Sequence, residues 1–341
     1  MHRRLPAEWE VQDGVLLAWP HADSDWRDSL EAVERVFTEI VRVISRFERV
    51  LIVAPKIEPV WARLERSGAD MRQVTLHRIP TNDTWARDFG PITVFEDNVP
   101  VLLDFGFNAW GLKFAADLDN RITGRLARLG AFGGSAVRIP GLILEGGSIE
   151  SDGAGTLLTT SQCLLSPNRN PHLDRQDIEQ TLGSLLGVHH VLWLENGFLA
   201  GDDTDAHIDT LARFCADDTI VYVHCDDPAD EHAAALMAME GELRAFRTAA
   251  GQPYRLIPLP WPRPCYGEDG HRLPATYANF LLINGAVLVP TYAVPQDAAA
   301  LEILAEIFPD HEIIGIDCLP LIAQHGSLHC VTMQIPRGVL P

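Results

Sequence analysis

The sequence predicts an α/β fold made from a repeated ββα unit, in one domain spanning residues 1–341. Short β-rich runs come in pairs separated by turn residues, and helical patterns lie between the pairs. The pairs begin near residues 91, 147, 208 and 279, and a last β-rich run begins at 329. A period of roughly 50–70 residues indicates a repeated unit within one closed domain, not two domains in series.

Four hairpins follow from β-branched and apolar runs that flank turn residues. They pair 91–96 with 100–105, 147–151 with 156–160, 208–214 with 219–224, and 279–283 with 286–291. Asn284-Gly285 is the strongest hairpin signal in the chain, because both residues tolerate the left-handed backbone of a tight turn. A final strand is predicted over 329–335.

Helices are predicted between these hairpins, over 29–47, 174–186, 228–249 and 297–308. The first has apolar residues at the helical spacing, namely Val33, Phe37, Ile40, Val41 and Ile44. The proline-rich segment 256–273 is expected to be a long surface loop. Alternating strands and helices would also allow a doubly wound sheet, but no GxGxxG follows the first strand to support a Rossmann fold.

Charge and cysteine usage exclude several classes of protein. With 47 acidic and 27 basic residues the net charge is −20, which disfavours nucleic acid and anionic membranes as partners and favours cations. The apolar runs are too short to span a bilayer, and the N-terminus lacks the pattern of a secretory signal. Six dispersed cysteines without a CxxC pair argue against a disulfide framework or a zinc knuckle. We expect a soluble, cytoplasmic protein.

Four short strings combine glycine turns with polar or reactive side chains, each at the start of a predicted strand. They read WARDFGP at 85–91, LEGGS at 144–148, GDDTDAHID at 201–209 and GSLHC at 326–330. If the repeated units surround a common axis, the starts of their strands converge at its centre. We therefore hypothesise that the four strings line one pocket.

His207 and Asp209 are two residues apart on a predicted strand, so both side chains should face the same side. A carboxylate beside an imidazole forms an acid/base pair. The same two residues could instead be a polar sheet edge. They could also chelate a metal, although no further ligand cluster completes a zinc site.

Cys330 is the candidate nucleophile. Cysteine is more often a small buried side chain, but the turn at Gly326 would expose this thiol, and a nearby imidazole would activate it. The other five cysteines lie in apolar runs or loops, and we expect them to be structural.

Asp88 and Glu145 lie beside glycines, where a carboxylate is commonly a cap or a solvated group. Together with Asp209 they match a guanidinium, which carboxylates bind through paired, charge-assisted hydrogen bonds. Trp85 could belong to the core or form a flat wall against a planar cation. Three carboxylates, a histidine and a cysteine predict a cysteine-dependent hydrolase that attacks a guanidinium carbon.

The four strings resemble those of the agmatine deiminase family and of the related bacterial peptidyl-arginine deiminases, within the guanidine-modifying pentein superfamily. The likeness runs from about residue 7 to about residue 336. Three positions depart from the family pattern. Ala206 and His325 stand where glycine is usual, and Phe89 stands where agmatine-specific members commonly have threonine.

The resemblance implies a five-bladed α/β propeller and a covalent amidino thioether on the nucleophile. The implied catalytic residues are Cys330, His207, Asp209, Asp88 and Glu145, with His207 as general acid and base. The substrate-binding candidates are Trp85, Asp88, Asp209 and Asp203. No metal or organic cofactor is implied, and a homodimer is an expectation at the level of the family.

Agmatine is the leading substrate prediction, hydrolysed to N-carbamoylputrescine and ammonia in putrescine biosynthesis. Peptidyl-arginine or free arginine would keep the same chemistry. An acidic or aromatic pocket end would suit the ammonium of agmatine, whereas arginine would need a cation or a donor, for which Arg87, Arg169 and Arg263 are candidates. A non-catalytic binding protein and a metal-dependent hydrolase are further alternatives.

Overall fold

The computed structural model describes residues 2–341, and their main sheets form five blades with a common pattern. In each blade an antiparallel pair of strands is followed by a strand that runs parallel to one member of the pair. A parallel neighbour requires a crossover connection, which a helix supplies in each blade. The five-bladed α/β fold implied by the resemblance is confirmed.

The blades are numbered along the chain by their antiparallel pairs. Their strands are Arg3–Arg4, Ile92–Glu96, Val99–Leu103 and Ala136–Arg138 in blade 1; Ile149–Ser151, Thr156–Thr160 and His190–Leu194 in blade 2; Ala212–Ala216, Thr219–Val223 and Arg255–Leu259 in blade 3; Leu281–Ile283, Ala286–Thr291 and Glu312–Asp317 in blade 4; and Thr332–Pro336, Gln12–Ala18, Arg49–Ala54 and Val74–Arg78 in blade 5. The longer helices are Leu30–Ile44, Ile57–Ser67, Ile122–Arg128, Arg175–Leu186, Ala233–Ala245 and Gln296–Ile307. Short helices are Ala86–Phe89, Ala109–Leu112, Ser161–Leu164 and Leu319–Ile322, and short 3₁₀ turns are Arg27–Ser29, Asp119–Arg121, Gly146–Ser148 and Ile208–Thr210.

Blade 5 joins the two ends of the chain. Its C-terminal strand Thr332–Pro336 pairs antiparallel with Gln12–Ala18, and that strand pairs parallel with Arg49–Ala54. The final strand was expected from its sequence, but its partner was not, because the pairing spans nearly the whole chain. This pairing brings the residues before Thr332 next to the N-terminal segment.

The predicted hairpin turns are confirmed. Ile283 pairs with Ala286 across Asn284-Gly285, and Gly285 has a φ of 74°. The turn at Asp97 and Asn98 likewise has positive φ at both residues, as a two-residue hairpin requires.

The first strand of each antiparallel pair begins later than predicted. Residues 208–210 form a 3₁₀ turn and the strand begins at Ala212, while in blade 5 the strand begins at Thr332, after Cys330. The strand predictions for His207, Asp209 and Cys330 are therefore wrong. Their backbone groups find partners outside the strand ladder: His207 bonds locally to Thr204 and Thr210, the Asp209 carbonyl accepts from the Asn279 side chain, and the Cys330 carbonyl accepts from Arg87 N–H.

The prediction of a long loop over 256–273 is also wrong in part. Arg255–Leu259 is the third strand of blade 3 and runs parallel to Thr219–Val223, with Pro258 opposite Tyr222. An edge strand tolerates proline because only one of its sides needs backbone N–H groups. A small two-stranded sheet, Cys265–Tyr266 with Arg272–Leu273, follows it.

Apolar side chains fill the space between helices and sheets. The five apolar residues predicted to form one face of the helix Leu30–Ile44 are all buried. Within residues 2–341 no helix has both the length and the apolar character needed to cross a membrane. The six cysteines are free, as their dispersed positions indicated.

Candidate active site

Every blade presents a polar or reactive residue two to four positions before the first strand of its antiparallel pair. In blade order these entry residues are Asp88, Glu145, Asp209, Asn279 and Cys330. Contacts link them around the molecule. Gly147 N–H donates to Asp88, Asn279 donates to the Asp209 carbonyl at 3.3 Å, and His329 N–H donates to Asn279. The four strings approach one another, and blade 4 adds Asn279 to them. The hypothesis that all four line one pocket holds for three of them only, because no residue of LEGGS at 144–148 lines the cavity that contains Cys330.

A cavity of about 140 Å³ opens above this centre. Cys330 and Asp88 lie in its wall beside three aromatic side chains, Trp85, Trp110 and Phe114. Gly326 packs against Trp85 so closely that a Cβ atom at this position would lie 2.1 Å from the indole ring. Glycine is therefore required where the loop before Cys330 passes Trp85.

Cys330 is buried, and its thiol contacts the Asn279 side-chain oxygen at 3.4 Å. Burial raises the pKa of the Cys330 thiol well above its usual value, and the negative charges of Asp209 and Asp88 raise it further. The free protein therefore holds a thiol here. A cation bound between the two carboxylates would offset their charge and favour the thiolate.

His207 lies between two carboxylates without a close hydrogen bond. Its Nδ1 is 3.6 Å from Asp88 and its Nε2 is 3.7 Å from Glu145. Among the described residues neither ring nitrogen has a hydrogen-bond partner, although the side chain is buried. Burial lowers the pKa of His207, but its interactions with Asp88, Cys163 and Glu145 outweigh this effect and leave the pKa well above its usual value.

Asp88 accepts hydrogen bonds from the Trp110 indole at 2.9 Å and from the Gly147 backbone at 3.0 Å. Burial raises the pKa of Asp88 to about 6; the charges of Asp209 and Glu145 add to this effect, and His207 and Trp110 oppose it. A Cβ on Gly147 would lie 2.6 Å from His207 Nδ1, 3.0 Å from Asp88 Oδ1 and 3.1 Å from Asp209 Oδ2. The side chains of His207, Asp88 and Asp209 therefore all lie close to the Gly147 backbone, and they can do so because this residue has no side chain.

His329 forms a hydrogen bond with one carboxylate oxygen of Asp209 and thereby fixes its orientation. His329 Nδ1 is 2.8 Å from Asp209 Oδ2, and its Nε2 is 2.7 Å from Glu8 Oε2. Burial raises the pKa of Asp209, but the hydrogen bond and charge of His329 outweigh it, and the net pKa lies below its usual value. The other oxygen of Asp209, Oδ1, is buried without a partner in the described chain, so it is available to a ligand.

Glu8 is anchored by a buried arginine. Arg213 donates to Glu8 at 2.7 Å and to Glu150 at 2.8 Å. Burial raises the pKa of Glu8, but Arg213 and His329 lower it by more, so the carboxylate is ionised. The His329 ring therefore bridges the carboxyl groups of Glu8 and Asp209.

Glu145 is bound by Arg169, whose Nε lies 3.0 and 2.8 Å from its two oxygens. The same guanidinium donates to Asp205 at 2.6 Å and to the Thr204 carbonyl at 2.8 Å. Burial raises the pKa of Glu145, but His207 and Arg169 lower it by more. Arg169 thus ties Glu145 to the loop that carries His207.

The structure brings together Asp88, Glu145, His207 and Asp209, and it places Trp85 in the cavity wall with Cys330. Asp203 lies apart from them at the cavity rim, 4.0 Å from His325 and partly exposed. Ala206 and His325, which replace usual glycines, have φ values of 61° and 68°. Both residues keep the left-handed backbone that glycine adopts freely.

Several functional residues were missed in the sequence. Trp110, Cys163 and Asn279 contact predicted site residues directly, and Glu8 contacts His329, which in turn binds Asp209. Arg169 was considered only as a group for an arginine substrate, and it binds Glu145 instead. Their signal was weak, because each lies outside the reactive positions of the four strings, and Glu8 is 321 positions from His329.

Comparisons with known proteins agree with this geometry. Residues 4–336 match the family model of Porphyromonas-type peptidyl-arginine deiminases. The chain is 33% identical to an agmatine deiminase of Pseudomonas aeruginosa, over 98% of this chain and 95% of the relative.

Two solved structures are similar over nearly their whole length. A Porphyromonas gingivalis protein assigned provisionally as an arginine deiminase has a TM-score of 0.95 and 52% identity, covering 99% of this chain and 100% of its own. A C. jejuni agmatine deiminase variant with substrate bound has a TM-score of 0.92 and 41% identity, covering 99% and 97%. The chain belongs to the Porphyromonas-type peptidyl-arginine deiminase family, with the pentein fold.

Proposed function

We propose that this protein is an agmatine deiminase, which hydrolyses agmatine to N-carbamoylputrescine and ammonia. The charge of the cavity carries the proposal. Four aspartates, Asp25, Asp83, Asp88 and Asp203, line it, and no lysine or arginine of residues 2–341 does. Agmatine is cationic at both ends, so this lining suits it, whereas the carboxylate of free arginine would face negative charge.

The arginines that could have served an arginine substrate are engaged elsewhere. Arg87 is buried and contacts the His329 carbonyl, and Arg169 binds Glu145. Arg263 lines a different depression. The four-carbon chain of agmatine would instead lie against Trp85, Trp110 and Phe114.

In the proposed reaction Asp88 and Asp209 bind the guanidinium, the Cys330 thiol releases its proton to solvent as the cation binds, and the thiolate attacks the central carbon. Asp209 would use the oxygen that has no partner in the described chain. His207 donates a proton to the departing nitrogen, which leaves as ammonia, and the amidino group remains on Cys330 as a thioether. His207 then takes a proton from water, which adds to the same carbon, and the thiolate leaves as the urea product forms.

Glu145 keeps His207 in place and charged in this scheme. The reaction requires no metal or organic cofactor. A cytoplasmic location and a homodimer remain predictions, and so does a single catalytic domain over residues 1–341.

Peptidyl-arginine is the second candidate, because the matching family model describes deiminases of that substrate. The test measures ammonia release from agmatine, free arginine and a blocked arginine peptide, with Cys330→Ala as the control. Release from agmatine alone, abolished in Cys330→Ala, is expected. Release mainly from the peptide or from arginine would overturn the agmatine assignment, and no release from any of the three would overturn the deiminase itself.

A further inference from the structure

A second buried cysteine, Cys163, lies beside the histidine and the glutamate of the site. Its Sγ is 3.9 Å from Glu145 Oε2, and Oε2 is 3.7 Å from His207 Nε2. One ligand atom from each of the three residues lies within 4.8 Å of the others. The proposed reaction does not use Cys163.

These separations are close to those of a zinc site. Zinc binds sulfur at about 2.3 Å and nitrogen or oxygen at about 2.0–2.2 Å, so two ligand atoms of a tetrahedral site are roughly 3.3–3.6 Å apart. The two measured edges, 3.7 and 3.9 Å, exceed that range by a few tenths of an ångström. The third pair, Cys163 Sγ and a His207 ring nitrogen, lies within 4.8 Å, so side-chain movement would have to bring these two atoms closer before all three residues bind one ion.

The hydrogen bonding of the cluster also leaves room for a metal. Both ring nitrogens of the buried His207 lack a hydrogen-bond partner in the described part of the chain. Arg169 Nε donates to both oxygens of Glu145, so a metal would bind Oε2 through its remaining lone pair, and Asp205 compensates the positive charge of Arg169. Thiolate, imidazole and carboxylate together select zinc over calcium or magnesium, which prefer oxygen ligands alone.

We propose that Glu145, Cys163 and His207 form an inhibitory Zn²⁺ site, in which the metal occupies the histidine needed for proton transfer. Three protein ligands leave the fourth tetrahedral position to water. Zinc binds the thiolate of Cys163 and a neutral imidazole nitrogen of His207, and any proton displaced from them passes to solvent.

The test of binding does not depend on catalysis. Cys330→Ala protein is titrated with Co²⁺, whose thiolate charge-transfer band reports a bond to sulfur, and then with Zn²⁺ in competition. One equivalent of Co²⁺ should give the band, and Zn²⁺ should remove it. Adding Cys163→Ser should abolish the band and weaken binding by more than about 100-fold, beyond the cost of losing an outer-shell partner.

Cys318→Ser in the same background is the matched control, because Cys318 is also buried and free. It should leave the band unchanged. His207→Asn provides a second variant if Cys163→Ser fails to fold, and it should weaken Zn²⁺ binding. A folded Cys330→Ala protein without the band, or a band that survives Cys163→Ser, overturns the site.

Inhibition rests on the proposed function and is measured separately. Zn²⁺ should stop ammonia release by the wild-type protein, and a chelator should restore it. If no substrate releases ammonia, the deiminase proposal fails while the Co²⁺ result still decides the metal site. Wild-type activity that is unaffected at Zn²⁺ concentrations that saturate the Cys330→Ala protein overturns the inhibitory role.

Discussion

The two histidines around the carboxylates of the site have opposite environments. His207 lies 3.6–3.7 Å from Asp88 and Glu145 and has no hydrogen bond among the described residues. His329 lies 2.7–2.8 Å from Glu8 and Asp209 and is bonded through both nitrogens. Both are buried among negative charges, yet only the first can exchange a proton without breaking the structure.

This difference suits His207 to proton transfer and His329 to positioning Asp209. A ring held by charge alone can turn toward a leaving group or a water, whereas a ring that bridges two carboxylates fixes their orientation. His329 therefore sets the direction of Asp209, and Arg213 behind Glu8 keeps that bridge in place. The same residue type serves two roles because, among the described residues, one ring is hydrogen-bonded through both nitrogens and the other through neither.

Replacing His207 should have the largest effect on turnover. His207→Asn removes the proton donor, and we expect kcat to fall by about 10²–10⁴-fold. The free energy of unfolding should change less than in His329→Asn, because Glu145 keeps Arg169 and Asp88 keeps Trp110. Steady-state ammonia release and urea unfolding measure the two quantities. A His207→Asn protein with a reduced free energy of unfolding but the wild-type kcat would show that His207 has a structural role and is not the proton donor.

Replacing His329 should mainly reduce stability. One amide in His329→Asn cannot bridge Glu8 and Asp209, and a buried charge that loses its partner costs about 3–5 kcal/mol. The pKa of Asp209 lies below its usual value in the folded protein, so its favourable contribution is present above the unfolded pKa and is lost as pH falls through the folded one. The stability difference from wild type should therefore shrink below about pH 4. A difference that is constant with pH would argue against the role of His329 in holding Asp209.

The smallest predicted effect is a shift in pH dependence. Asp88, with a pKa of about 6, must be ionised to bind a guanidinium, so kcat/KM should fall as pH drops through about 6. Trp110→Phe removes an indole donor that favours the ionised form. The acid limb should then move to higher pH by about one pH unit.

Trp85→Phe is the matched control for this shift, since Trp85 lines the same cavity while Trp110 makes the indole hydrogen bond to Asp88. It should leave the acid limb in place. Equal shifts in both variants would mean that the shape of the cavity, not the hydrogen bond to Asp88, determines the pH at which kcat/KM falls.

The hairpins and most of the candidate site residues could be predicted from short stretches of the sequence. Turn pairs such as Asn284-Gly285 predicted the hairpins, because a left-handed turn depends on the residues within it. The four strings around Asp88, Glu145, His207 and Cys330 indicated the candidate site, since each combines a reactive group with a turn. These features depend on neighbours within a few residues, so they can be recognised without the fold.

Only the tertiary structure decided where each strand starts and which groups meet. His207 and Asp209 lie outside the sheet because a 3₁₀ turn over 208–210 uses the His207 carbonyl, and the Asn279 side chain of the next blade donates to the Asp209 carbonyl. The pairing of Thr332–Pro336 with Gln12–Ala18 brings Glu8 to His329 across 321 positions. Whether a histidine is free or bridged depends on such distant partners, and no local pattern records a contact made only when the two ends of the chain join.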